Sequence, residues 1–326
     1  MTEFELIARH FAGRGAGRKD VLLGIGDDAA LLEVPESHAL VVTTDTLVSG
    51  VHFLPDVSPH ALGHKAVAVN LSDLAAMGAE PAWMSLAITL PDSRHDWLDA
   101  FAHSVADICE YYGVSLIGGD TTRGPLSITM TAQGLVQKDK AMKRSGAKPG
   151  DWLYVTGTPG DARRGLELLQ TPRAEITESA DVRDALEKRL LYPTPRVAAG
   201  QSLKGLASAA IDISDGLLQD LQHMTSASRC DVEVISEQLP LSAALKASVP
   251  DHQRLKYQLA GGDDYELLFA VPEESRGSVD TALQHFAVPF TCIGRFKPGR
   301  GEVVVTCGGE PLSEQWQGWD PFRDND

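Results

Sequence analysis

The feature that most constrains this chain is an apolar run that ends in acids and restarts as a helix: Ala209-Ala210-Ile211-Asp212-Ile213-Ser214-Asp215-Gly216-Leu217-Leu218. A strand points successive side chains to opposite faces, so Asp212 and Ser214 face one way where the run ends. A turn at Asp215 and Gly216 swings the second carboxylate toward the same point. Two hard oxygen donors at a strand end suit Mg2+, which takes one or two carboxylates together with phosphate oxygens. Taken alone, the stretch reads first as a helix start with Asp215 as its N-cap. Recurrence changes that balance. The same grammar returns at Val21–Ala30 with Asp27 and Asp28, at Ala39–Leu47 with Asp45, at Val114–Gly124 with Asp120, and at Leu259–Val271 with Asp263 and Asp264. Asp73 lies within the Ala-rich helical stretch Pro59–Gly78, where a buried, unpaired carboxylate would be costly. A metal, a nearby lysine or simple exposure would each resolve that cost.

If these acids converge, they form a negative pocket that needs cations to be stable. Several Mg2+ ions would then hold a polyphosphate, and the chain has no G-x-x-x-x-G-K-[ST] loop to do so instead. A Ca2+-binding or merely acidic protein is the rival class, although no EF-hand loop is present. The net charge of −16 argues against a nucleic-acid or anionic-membrane partner. No apolar run approaches the ~20 residues of a membrane span. The N-terminus, Met1-Thr2-Glu3-Phe4-Glu5, lacks the basic start of a secretory signal. Cys109, Cys230, Cys292 and Cys307 are scattered and are expected as buried free thiols in a reducing compartment. The expectation is a soluble, cytoplasmic protein.

The first half reads β-β-α-β-α-β-β, with acids at three strand ends and one in a helix. The second half mixes strands and helices irregularly, with no element assigned between Ile235 and Leu259 and an alternating strand after Gly262. The class expected is α+β, as two α/β layers. Its parts are an N-terminal domain at 1–137, a Lys/Arg/Gly-rich linker at 138–150 and a C-terminal domain at 151–326. Arg144 in the linker reads either as a phosphate clamp or as a solvated charge. Gly13–Lys19 reads as a mobile solvated loop. A lone His52 is by itself more often structural. Trp316, Trp319 and Phe322 could stack on a flat ligand or seal a core edge.

Seven segments, taken together, resemble the thiamine-monophosphate kinase family: Gly24–Ala30, Thr43–Val48, Val51–Phe53, Asn70–Ala79, Gly118–Thr122, Ile211–Leu217 and Gly261–Leu267. The resemblance implies the fold of the aminoimidazole ribonucleotide synthetase superfamily, with an N-terminal sheet that builds a homodimer and ATP between two domains. It implies ATP and Mg2+-assisted γ-phosphoryl transfer to thiamine monophosphate, yielding thiamine diphosphate and ADP, and leaves a monovalent cation open. The acceptor is already anionic, so no general base is required, in keeping with the absence of a Ser/His/Asp or Cys/His arrangement. By position, the resemblance assigns Asp28, Thr43, Thr44, Asp45, Asp73, Asp120, Asp212 and Asp215 to metal. Gly119, Asp120, Arg144 and Ser214 are assigned to nucleotide, and His52, Asp263 and Trp319 to the thiamine phosphate. Asp263 departs from the family, which usually has Glu there. The alternatives are another ATP-dependent enzyme of the superfamily, or a non-catalytic acidic metal- or nucleotide-binding protein.

Overall fold

The computed structural model describes residues 3–284, 288–314 and 316–322. The chain divides into two compact units, one of residues 1–74 and 79–139, the other of residues 75–78 and 140–326. The elements of the first are α1 (Glu3–His10), β1 (Val21–Leu23), β2 (Leu31–Leu32), β3 (His38–Val48), α2 (Pro59–Ala76), β4 (Glu80–Leu90), α3 (His95–Tyr111), β5 (Ser115–Arg123) and β6 (Ser127–Gln137). Four strands form a mixed sheet in the order β3-β6-β4-β5, with β4 and β5 parallel. β3 is long because Leu40-Val41-Val42-Thr43-Thr44 is largely β-branched and meets no Gly or Pro before Gly50. α2 starts where Ser58 Oγ accepts the Ala61 N–H at 3.1 Å, and it ends before Gly78, whose φ of +66° suits only a residue without Cβ.

One face of this sheet is core. Met84, Leu86, Ile88, Ile128, Met130 and Ala132 are buried, as are Leu62, Val67, Leu71 and Leu74 of α2. Each large apolar side chain buried in this way contributes about 1.5–3 kcal/mol. The other face carries threonines paired across β3 and β6, Thr44 with Thr131 and Thr46 with Thr129, each at 2.9 Å between hydroxyl oxygens.

Two expectations change here. The expected first strand ending in acids is instead a small hairpin, with β1 and β2 pairing around the turn Gly24–Ala30. The Gly13–Lys19 segment is tied down rather than free. Ala16 N–H donates to the Val114 carbonyl at 2.9 Å, and Arg18 reaches Asp20 at 2.7 Å and the Gly113 carbonyl at 3.1 Å.

The second unit comprises β7 (Trp152–Thr156), α4 (Asp161–Gln170), α5 (Ala180–Leu191), α6 (Val197–Leu203), β8 (Ala209–Asp212), α7 (Leu217–Ser228), β9 (Asp231–Ile235), α8 (Ala243–Ser248), α9 (Asp251–Ala260), β10 (Leu267–Val271), α10 (Arg276–Gln284), β11 (Phe290–Lys297), β12 (Val303–Cys307) and β13 (Glu310–Pro311). Its seven-stranded sheet runs β13-β12-β9-β11-β7-β10-β8. β10 lies between β7 and β8, and all five of its residues are buried, so the expected alternation is absent. A strand covered on both faces has no solvent side to alternate toward. α8 and α9 fill the stretch left unassigned from sequence.

Both units mix strands and helices, as the α+β reading expects. The four cysteines are free, but Cys307 is exposed and Cys292 half-buried, contrary to the expectation of buried thiols throughout. Among the described residues no helix is long and apolar enough to cross a membrane.

Candidate active site

In the first unit, strand register decides which side chains meet. Asp45 lies opposite Met130, which lies opposite Leu86; both are buried, so Asp45 projects from the covered face. Thr43 shares that face two residues away, about 7 Å along the strand. Its hydroxyl donates to Asp73 Oδ2 on α2 at 2.5 Å. Thr43, Asp45 and Asp73 therefore form one group, and the burial cost of Asp73 is met by partial exposure and this hydrogen bond.

The other candidates of this unit are placed differently. Thr44 turns its hydroxyl to Thr131 on the open face, so only its main chain is available on Asp45's side. Neither Asp45 nor Asp120 ends its strand: β3 continues to Val48 and β5 to Arg123. Asp120 is exposed and pairs in register with Ala87, in the open row that holds Thr46 and Thr129. It stands three strands from Asp45, about 14 Å at the usual strand spacing. The register places Gly119 opposite Leu86, where a Cβ would sit 1.7 Å from the Leu86 carbonyl oxygen; only glycine fits. Asp28 is exposed at the hairpin turn, and Asp27 Oδ1 accepts its N–H at 2.8 Å, so one of the adjacent acids is spent on the turn. His52 accepts the Val48 N–H on Nδ1 at 3.1 Å. That bond puts the proton of the neutral ring on Nε2.

In the second unit, two acid-bearing segments run side by side. Asp263 N–H donates to the Ser214 carbonyl and Tyr265 N–H to the Ile213 carbonyl, both at 2.8 Å, while Ile213 N–H returns to the Glu266 carbonyl at 2.8 Å. The C-terminal segment joins them: Trp319 N–H donates to the Asp215 carbonyl at 2.9 Å. Gln219 Nε2 donates both to the Trp319 carbonyl at 3.0 Å and to Asp215 Oδ2 at 3.3 Å. Asp212, Ser214, Asp215, Asp263 and Trp319 are thus brought together. Trp316 packs instead against the core of this unit, which separates the two tryptophans.

Asp215 does not cap α7. The N-cap is Gly216, with φ +130° and no side chain. The N–H groups just ahead of the helix are served by Asp220, which sequence reasoning missed. Its Oδ2 accepts the N–H groups of Ser214, Asp215 and Gly216. Burial, reinforced by the charge of Asp215, pushes the Asp220 carboxyl up to about 7 despite those three donors. Burial likewise raises Asp215, with Asp263 and Asp320 adding to the rise against the Gln219 hydrogen bond and His223.

Glu266, also missed, anchors the loop that carries Asp263. It is fully buried, with Arg189 Nη2 at 2.7 Å, Arg196 Nε and Nη2 at 2.6 Å and Thr156 Oγ1 at 2.6 Å. The same loop holds Asp263 and Tyr265 at positive φ, +66° and +52°, and Tyr265 Oη donates to Asp263 Oδ1 at 3.0 Å. Asp264 is buried, accepts the Gly160 N–H at 2.8 Å on Oδ2, and is pushed well above the usual carboxylate range by burial.

Arg144 is exposed, and its backbone is fixed by Ser228. Ser228 Oγ accepts the N–H groups of Gly146 and Ala147 at 3.1 and 3.2 Å and donates to the Arg144 carbonyl at 3.1 Å.

Among the described residues, no three His, Cys, Asp or Glu side chains stand close enough to hold an ion by themselves. Mg2+ does not require such a cage, since it binds through one or two carboxylates while keeping water and taking substrate phosphate oxygens. The half-buried Asp215, facing the charges of Asp263 and Asp320, is the kind of carboxylate that a cation relieves.

Two family models match the chain, the AIR synthase related protein N-terminal domain over residues 26–136 and the C-terminal domain over residues 148–306. The thiamine-monophosphate kinase of Escherichia coli (strain K12) is 53% identical over 320 residues, 98% of each chain. The crystal structure of thiamine-monophosphate kinase from Stenotrophomonas maltophilia K279a superposes with a TM-score of 0.84 at 42% identity, covering 95% of this chain and 96% of that one. A structure described as AaThiL complexed with AMPPCP and TMP superposes with a TM-score of 0.77 at 36% identity, covering 90% and 91%.

Proposed function

This chain belongs to the thiamine-monophosphate kinase family of the AIR synthase-related proteins, and we propose that it transfers the γ-phosphoryl group of ATP to thiamine monophosphate, giving thiamine diphosphate and ADP. The observation that carries the reading is the gathering of Asp212, Ser214, Asp215, Asp263 and Trp319 on three hydrogen-bonded segments, in a family whose AaThiL member is described with AMPPCP and TMP bound.

The acceptor phosphate is anionic at neutral pH, so it attacks without loss of a proton to a side chain. Catalysis is then a matter of orientation and charge. Asp212 and Asp215 in one unit, and Asp28, Thr43, Thr44, Asp45, Asp73 and Asp120 in the other, are the residues we assign to Mg2+. When bound, Mg2+ neutralises the triphosphate and the charge that develops during transfer. Gly119, Asp120, Arg144 and Ser214 are assigned to ATP. The Nε2 proton of His52 is a donor for a phosphate oxygen of the acceptor. Trp319 is assigned to the thiazolium, where a ring face attracts a cation. Asp263, one methylene shorter than the family's usual Glu, is assigned to the thiamine; Tyr265 Oη holds its carboxylate and its backbone is turned to φ +66°.

A homodimer completes the proposal. The open face of the first unit's sheet exposes Leu40 at 46% and Val42 at 55% beside its threonine pairs. The reading puts the protein in the cytoplasm and leaves a monovalent cation open.

The test is a product assay with ATP and Mg2+, offering thiamine monophosphate and free thiamine in parallel. Thiamine diphosphate and ADP in equal amounts, from the monophosphate alone, is the expected result. ATP binding without thiamine diphosphate would overturn the choice of acceptor.

A further inference from the structure

We propose that Asp220 is a positioning residue for the metal-binding end of the second unit: its Oδ2 gathers the N–H groups of Ser214, Asp215 and Gly216 at 3.0, 3.1 and 3.2 Å, and so fixes where the Asp215 carboxylate stands relative to Asp212, which β8 places by its pairing with β10. The inference rests on the reading that Asp212 and Asp215 hold Mg2+.

Residues 213–216 carry the chain from β8 to α7; neighbouring segments hold the carbonyls of Ile213, Ser214 and Asp215, and Asp220 holds the N–H groups of Ser214, Asp215 and Gly216. Gly216 enters the helix at φ +130° with no cap of its own. An ordinary capping side chain precedes the helix and accepts from N2 or N3 inside it. Asp220 does the reverse. It lies inside the first turn and reaches back to the N-cap and to two residues that precede the helix. What it organises is therefore the loop. It is 3% exposed, so water does not compete for these bonds. Three N–H donors converge on one oxygen, which holds the path of the loop more firmly than a single contact would. Gln219, next in sequence, then carries the position of Asp215 on to Trp319. A carboxylate buried behind two acidic ligands is an awkward choice for stability alone, whereas it is the usual outer partner of a metal-binding group.

The experiment compares Asp220→Ala and Asp220→Asn with Asp215→Asn and with Gln222→Ala. Gln222 is on the same helix but bonds Ser226 and the Gly301 carbonyl, away from the loop. Two readouts are taken on the full chain: the Mg2+ concentration for half-maximal rate, and the rise in melting temperature that Mg2+ with AMPPCP produces without turnover. Asp220→Ala is expected to raise the Mg2+ midpoint at least ~10-fold, with rate recovered at high Mg2+, as loss of an outer partner does at other metal sites. Asp220→Asn keeps an acceptor for the three donors and is expected to raise it roughly 3-fold or more, which keeps the test alive if the alanine variant does not fold. Gln222→Ala lowers the melting temperature and leaves the midpoint where it was. An unchanged midpoint and an unchanged Mg2+-dependent melting shift in the folded Asp220 variants, with Asp215→Asn shifted, would overturn the role of Asp220 alone. No shift in Asp215→Asn would overturn the metal reading itself.

Discussion

The acids of the first unit are placed by a sheet, and those of the second by braces. In the first, Asp45 and Thr43 point where strand parity sends them, and Asp73 needs one hydroxyl partner. In the second, the loops bearing Asp215 and Asp263 follow paths that no regular element dictates. Buried polar groups hold them: the Asp220 carboxyl behind one, and the ion pairs of Glu266 with Arg189 and Arg196 behind the other. The difference teaches where function and stability separate. A residue placed by a strand can be altered at little cost to the fold. A residue placed by a buried ion network is altered through its brace, and the fold is altered with it.

The strongest way to break the comparison is to remove a brace. Glu266→Ala strands two arginines around a void, and breaking a buried pair this way costs about 3–5 kcal/mol. Denaturant unfolding should show that loss; a change under ~1 kcal/mol would mean that the loop stands without its ion network. Next in size is Asp73→Asn, which keeps an acceptor for Thr43 and loses only charge. It is expected to lower kcat about 100-fold, as removal of an electrostatic group from phosphoryl-transfer machinery does, with stability within ~1 kcal/mol of the parent. A large stability loss there would erase the contrast between the two units.

Gly157→Ala sharpens the comparison from another side. Gly157 has φ +60°, and a Cβ would lie 2.0 Å from Glu266 Oε1. The substitution should cost about 1–3 kcal/mol by thermal melting, and less in a Glu266→Ala background where the clash is gone.

The last effect is one of pH. Glu178 is held down to about 2, because hydrogen bonds from Ser248 and Arg164 outweigh the burial that would raise it. Its folded value lies below its unfolded one, near 4.5. The stability it supplies is therefore complete above pH 4.5 and lost as pH falls toward about 2. Glu178→Gln should flatten the melting-temperature profile across that window; an unchanged profile would mean that the Arg164 and Ser248 contacts do not hold Glu178 ionised.

Much of this was legible in the chain, because apolar runs meeting acids near glycine are local signals. The pairing of Thr43 with Asp73 across 30 residues follows once β3 and α2 are placed. The reach of β3 and β5 past their acids was hidden, since β-branched threonines and valines continue a strand without punctuation. The braces were hidden for a different reason. Arg196 and Glu266 are 70 residues apart, and Thr156 and Glu266 are 110 apart, so no spacing rule connects them. Asp220 did carry a local signal, an acid four residues beyond Gly216 in a helix whose N-cap lacks a side chain. α8 is too short, and α9 too polar, for an apolar stripe to reveal either one.

The most direct test of the account is to follow thiamine diphosphate formation from ATP, Mg2+ and thiamine monophosphate by the parent protein, Asp73→Asn and Asp215→Asn, each with its melting temperature. The expected result is one thiamine diphosphate per ADP for the parent, with both variants folded and slowed about 100-fold. A full rate in either folded variant would contradict the assignment of both acid sets to a single metal-assisted phosphoryl transfer.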